Sequence, residues 1–158
     1  MLVIVLGGRA SAATQHVTAT ISFDTPLAVT NVTNIDFGTV KAEQAGTHQI
    51  SPSGNVTVAN GGVWLYGTPE AGLLMISGSS TQTISISTGS YVAQGGVTPS
   101  RAICKYGSAV AAACDAGLSV AAPGTSTPLL LGVQVVTDGS SKAGSTAAPS
   151  FTVTAVYN

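Results

Sequence analysis

The chain has 158 residues, a length that suits one globular domain with a core of its own. Only 7% of the residues are charged and the formal net charge is −1, which gives no electrostatic basis for binding nucleic acid or an anionic membrane surface. Because 44% of the residues are hydrophobic, the composition also argues against a disordered chain, which would combine low hydrophobicity with high net charge.

The first residues have the features of an export signal. A short apolar run at residues 2–6 is followed by Ala10-Ser11-Ala12, a small-residue pattern typical of signal-peptide cleavage sites. The run is too short to cross a bilayer as a helix. We therefore interpret residues 1–13 as a signal-peptide remnant and expect no membrane span in the mature protein. The alternative is an ordinary buried strand over residues 2–6.

Residues 14–25 form the next unit, an N-terminal extension that Pro26 ends. Hydrophobic side chains alternate along it, so that one face of an extended strand would carry Val17, Ala19, Ile21 and Phe23. A single strand with one apolar face is not stable alone in water. We expect this segment to pair either with its own domain or with another copy of the chain.

Residues 26–158 show the pattern of a single all-β domain, in which short alternating segments are separated by glycine-rich or proline-containing turns. This spacing predicts an immunoglobulin-like β-sandwich, which a donated N-terminal strand would complete. Residues 109–113 are alanine-rich and could form one helical turn. The predicted strands cover residues 27–30, 35–40, 55–59, 63–66, 73–77, 81–88, 118–121, 129–137 and 151–157.

Two cysteines, Cys104 and Cys114, lie close together in the sequence. In an exported protein such a pair predicts one local disulfide, and two free buried thiols are the alternative. A zinc site needs four ligands, and only His16 and His48 could join the cysteines. We expect neither a metal nor a cofactor.

The last predicted strand has one aromatic-rich face, formed by Phe151, Val153, Ala155 and Tyr157. We predict that this strand borders a groove and that the four alternating side chains of the N-terminal extension fill the groove as plugs. Strand addition of this kind takes its affinity from main-chain hydrogen bonds and its specificity from alternate side chains.

Several segments resemble known families. The run Ile35-Asp36-Phe37-Gly38-Thr39-Val40 is similar to the "LDFGT" signature of secreted bacterial proteins in a pilin-like family of unknown function, and the C-terminal FTVTAVYN is similar to that family's last strand. The ends of the chain also resemble chaperone–usher pilins, in which an aromatic residue stands next to last, as Tyr157 does here. The resemblance implies identical subunits as partners, with a periplasmic chaperone and an outer-membrane usher assisting assembly.

The sequence contains no known catalytic motif: it has no nucleophile elbow, no phosphate-binding loop and no HExxH pair. We therefore expect no enzymatic activity, although a spatial pair of carboxylates, as in glycosidases, is an alternative. We interpret Asp36 as a turn or hydrogen-bonding residue beside Gly38, and His16 and His48 as surface residues. Core packing is the preferred interpretation of Trp64, and an exposed sugar-binding platform with Tyr66 is the alternative.

Two functional hypotheses result from the sequence. In the first, the protein is a structural subunit of an extracellular filament, a pilus or fimbria, in which residues 14–24 of one subunit complete the sheet of the next. In the second, it is a monomeric secreted or surface adhesin that binds a glycan or a host protein, with residues 14–24 folded back as an edge strand. Both place the mature protein outside the cell.

Overall fold

In a computed structural model, the protein is described at Gln15 and over residues 17–158, so the predicted signal remnant and His16 lie outside the described residues. The described part is all-β, and it contains no helix long and apolar enough to cross a membrane. Its twelve strands are β1 (Ala28–Thr33), β2 (Thr39–Val40), β3 (Ala45–Ile50), β4 (Val56–Ala59), β5 (Trp64–Tyr66), β6 (Gly72–Ser77), β7 (Ile84–Val92), β8 (Val97–Tyr106), β9 (Ala112–Ala113), β10 (Leu118–Val120), β11 (Thr127–Asp138) and β12 (Ser150–Tyr157).

The larger sheet is built around β11, whose long alternating sequence buries one face along its whole length. Along one edge β11 pairs first with β6 and then, beyond Gly132, with β3; along the other edge it pairs with β8. Strand β1 extends the sheet beyond β6, and β4 extends it beyond β3. All these pairings are antiparallel.

The smaller sheet has the order β10-β7-β12 and packs face to face against the larger one. Ile84 and Ile86 of β7 are fully buried against Leu129 and Leu131 of β11, because both sheets turn their apolar faces inward. The β-sandwich predicted from the sequence is therefore confirmed.

The disulfide between Cys104 and Cys114 is also confirmed. It joins β8 to the residue that follows β9, and both cysteines are fully buried in the main core. Strands β8 and β9 pair directly beside it, at Cys104 with Ala112. The bond thus closes a short hairpin at one side of the sandwich. Inside this loop, a turn at residues 107–108 precedes β9, and residues 109–113 form no helical turn.

Besides the two-residue strand β9, the sequence prediction missed the longer strands β3 and β8. The buried face of β3 carries Gly46, His48 and Ile50, of which only one is a large apolar residue. In β8, Pro99 and Arg101 interrupt the alternation of apolar and polar residues that would indicate a strand. The register of β8 shifts near these residues, opposite Gln134 and Val135 of β11, and such an irregularity accommodates a proline in a paired strand.

Candidate strand-acceptor edge

The C-terminal strand β12 lies at one edge of the smaller sheet. It pairs with β7, and its second edge has no partner among the described residues. Its inner face follows the predicted alternation, because the side chains that pack against the core are Phe151, Val153, Ala155 and Tyr157. All four are only half-buried. The core is therefore incompletely covered along this strand.

Strand β1 lies at the edge of the larger sheet, and it too pairs with only one described strand, β6. Val29 stands opposite Ile76, which is fully buried in the core. Because side chains directly opposite each other in a sheet share a face, Val29 also points inward. It is nevertheless 41% exposed. No described strand covers this part of the inner face.

Contacts near both ends of these two edge strands place them on the same side of the sandwich, with opposite directions. At one end, the hydroxyl group of Tyr157, the last residue of β12, donates a hydrogen bond of 2.7 Å to the carbonyl oxygen of Thr25, just before β1. At the other end, Phe151 packs against a second apolar cluster to which Ile35 and Phe37, beyond the end of β1, also belong. The unpaired edges of β1 and β12 therefore border the same opening of the sandwich, which we call the lateral opening.

The N-terminal extension leaves the domain at one end of this opening. Residues 17–26 pair with no described strand and do not fold back on their own sheet, so the alternative of an ordinary edge strand is not seen in the single chain. The predicted plugs are solvent-exposed: Val17 is 90%, Ile21 76% and Phe23 88% exposed, and Ala19 is exposed as well. The structure of the single chain thus places the predicted plugs and the predicted acceptor strand apart.

The signature residues have a structural role close to the opening. As expected, Asp36 is a hydrogen-bonding residue beside Gly38: its carboxylate accepts a hydrogen bond of 2.7 Å from the backbone N–H of Gly38, while its backbone forms a β-bridge with Glu70. Gly38 has a φ of +72°, and a Cβ there would lie 2.8 Å from the carbonyl oxygen of Tyr66. The carbonyl oxygen of Phe37 accepts a 2.8 Å hydrogen bond from the indole N–H of Trp64. This segment joins β1 to the small β2–β5 sheet.

Two side-chain predictions are wrong. His48 is not a surface residue: it shares the inward face of β3 with Gly46 and Ile50, and its side chain is only 1% exposed. Its ring nitrogens have no hydrogen-bond partner among the described residues, and burial lowers the pKa of the ring. Trp64 is not in the core; it is 36% exposed beside the exposed Leu65 and Tyr66, because its strand belongs to the peripheral β2–β5 sheet.

The sequence did not indicate a partly buried polar cluster near the disulfide, in which the carboxylate of Asp115 accepts hydrogen bonds from Thr88, Tyr91 and Ala102. Burial raises the pKa of Asp115, but hydrogen bonds from Tyr91, Ala102 and Thr88 outweigh this effect and lower it. Burial and the hydrogen bond to Asp115 raise the pKa of Tyr91. The cluster ties β7 and β8 to the loop after Cys114. Within the described chain, no group of three His, Cys, Asp or Glu side chains is arranged to hold a metal ion.

Comparison of the chain with known protein families, with curated proteins and with solved structures finds no match. The functional argument therefore depends on the lateral opening and on the extension beside it.

Proposed function

We propose that the protein is a structural subunit of an extracellular filament that polymerises by strand exchange, in which residues 14–24 of one copy fill the lateral opening of the next. One observation carries the proposal: the same chain has an exposed segment with alternating apolar side chains and an opening bordered by two unpaired strand edges. The segment lacks a partner strand and a cover for its apolar side chains, and the opening has unpaired edges and an uncovered apolar face.

The chemistry of the two parts is complementary. The unpaired edge of β12 offers main-chain N–H and C=O groups to an added strand. The half-buried face of Phe151, Val153, Ala155 and Tyr157 offers apolar surface to side chains that alternate with a period of two. Residues 17–23 have that period, and neither they nor β12 carry a charge. Pairing would therefore bury no unpaired charged group.

A filament follows from the geometry of such a contact. The donor segment and the acceptor opening are different surfaces of the same molecule, so each subunit can use both at once with two different neighbours. A contact of this heterologous kind produces an open chain of subunits unless the rotation between subunits closes it into a ring. Identical subunits are thus the main partners, and a chaperone or usher would act at the same unpaired edges before assembly.

Deletion of residues 14–24 tests the proposal. We expect the shortened protein to remain a folded monomer, because the removed side chains are exposed, and to form no fibres by electron microscopy or size-exclusion chromatography. The full-length protein should form polymers that resist SDS without boiling, since strand-exchanged assemblies unfold slowly. Fibres formed by the shortened protein at the full-length rate would refute the proposal.

A second experiment moves the segment within the chain. Residues 14–24 are removed from the start and attached after Asn158 through a flexible turn, so that they can pair with β12 as a hairpin. We expect a monomer with a higher melting temperature that does not polymerise. The matched control carries the same graft with Ile21→Asp, which puts a charge on the plug face. If both grafts melt at the same temperature, the opening does not accept this segment.

A monomeric adhesin is the second candidate, and the exposure of Trp64 and Tyr66 favours it. These rings alternate along β5 and can offer an apolar face to a sugar ring or to a host protein. The double variant Trp64→Ala, Tyr66→Ala would lose binding to immobilised glycans while assembly stays unchanged. Wild-type protein that is monomeric at all concentrations and binds glycans would favour this function over the filament.

A further inference from the structure

The hydroxyl group of Tyr157 connects three parts of the chain at one end of the lateral opening. It accepts a hydrogen bond of 2.6 Å from the backbone N–H of Ser79 and donates one of 2.7 Å to the carbonyl oxygen of Thr25. A tyrosine hydroxyl has a single hydrogen to donate, and here the N-terminal extension receives it. We call these three residues the Tyr157 clamp.

The clamp has a fixed seat in the turn between β6 and β7. Ser79 is buried, and its carbonyl oxygen accepts a hydrogen bond of 3.0 Å from the backbone N–H of Gly124. Gly78 leaves space for the clamp: a Cβ there would collide with the Tyr157 hydroxyl group and would lie 3.1 Å from a methyl group of Leu27. The seat thus requires a residue without a side chain.

A second attachment lies one residue further toward the N-terminus. The carboxylate of Asp24 accepts hydrogen bonds of 2.8 Å from the side chain of Gln82 and 2.7 Å from the backbone N–H of Thr25. Hydrogen bonds from Ser79, Thr25 and Gln82 lower the pKa of Asp24. The root of the extension is thus attached at two adjacent residues, whereas Phe23 and Val17 beyond it are exposed.

The clamp opposes closure of the extension onto its own domain. To enter its own lateral opening, the extension would have to reverse direction between Asp24 and Leu27. Thr25 precedes Pro26, and the residue before a proline favours extended backbone. Leu27 packs against the core and Thr25 is held by Tyr157, so a reversal would break contacts at both residues.

We infer that Tyr157 is a positioning residue for subunit exchange: its hydroxyl group holds the root of the extension at the end of β12, which keeps residues 17–23 out of their own opening and available to a second copy. This inference rests on the proposed function. The extended root presents the plugs to a neighbour without an opening step.

The test compares Tyr157→Phe with Tyr106→Phe. Each variant removes one partly buried hydroxyl group that donates to a backbone carbonyl, but the partner of Tyr106 is Ala121, which lies apart from the extension. We expect Tyr157→Phe to slow seeded elongation of fibres about 5- to 30-fold, the factor that two lost hydrogen bonds would give, and Tyr106→Phe to change it less than about twofold. Gln82→Ala, which removes the second attachment, should slow elongation about 2- to 5-fold.

A monomer measurement separates this inference from the proposed function. Spin labels at Thr20→Cys and Thr154→Cys, both at exposed positions, report the distance between the extension and β12 by electron paramagnetic resonance. We expect Tyr157→Phe, and not Tyr106→Phe, to add a population with a short distance. Unchanged distances together with wild-type elongation would overturn the inference and leave the filament intact. If the wild-type protein forms no fibres at all, the proposed function fails, and unchanged distances would then reject the clamp independently.

Discussion

The side chain of Phe23 gives the sharpest test of strand exchange, because it is 88% exposed in the single chain. Its burial in a neighbour would contribute about 1.5–3 kcal/mol to each junction between subunits. Phe23→Ala should therefore weaken each junction roughly 10- to 150-fold, at 1.4 kcal/mol per factor of ten. The free energy of unfolding of the monomer should change by less than about 0.5 kcal/mol, since an exposed side chain is removed.

Val110 provides a matched control. It is also 88% exposed, but it lies in the loop closed by the disulfide, away from the lateral opening. The critical concentration for assembly, measured by sedimentation, should rise for Phe23→Ala and stay unchanged for Val110→Ala, while urea unfolding gives the monomer stability of both. Equal critical concentrations for the two variants, or a clear loss of monomer stability in Phe23→Ala, would refute the reasoning.

Three further predictions concern the domain itself. Replacing Cys104 and Cys114 by alanine should lower the free energy of unfolding by about 3 kcal/mol through loop-closure entropy, and urea titrations of the two proteins will measure it. Burial puts the pKa of His48 below 6.5, so the folded protein should be most stable above pH 6.5 and lose stability as the pH falls below it. In melting curves measured over this pH range, His48→Leu should reduce the pH dependence. Gly38→Ala should lower the free energy of unfolding by roughly 2–4 kcal/mol, because the new Cβ adds a steric collision to the strain of a positive φ. Gly144→Ala is the control: its φ is also positive but no atom lies within 4 Å, so thermal denaturation should show a loss of only about 1–2 kcal/mol.

Most of the strands could be predicted from the sequence because their apolar residues alternate, as in β11 and β12. In the extension, residues 17–23 also alternate, but alternation shows only that a segment suits a strand and not that its partner strand is present in the same chain. Conversely, β3 was missed because its buried positions hold Gly46 and His48, whose place inside the sheet depends on neighbours far away in the sequence.

Half of the candidate site could be predicted in the same way. The inward face of β12, from Phe151 to Tyr157, is visible in the sequence. The second border of the opening is not, because the position of β1 beyond β6 is a matter of long-range pairing. Nor does the sequence indicate that Tyr157 reaches Thr25, since the two are far apart along the chain. The Tyr157 clamp could therefore not be predicted from the sequence.

The arrangement of unpaired edges bears on why the extension and the opening occur together. Natural sheets protect an exposed edge with charges, prolines, bulges or a covering segment. The outer edge of β4 is also unpaired in the described chain, but β4 is the end strand on the β3 side of the larger sheet, opposite to β1. The edges of β1 and β12 instead face one opening, carry no charged residue, and leave Val29 and Phe151 partly uncovered. Such a pair of edges would attract any extended segment with alternating apolar residues. Under the proposed strand exchange, the extension of a second copy would fill this unprotected surface in one register, which would limit pairing with unrelated segments.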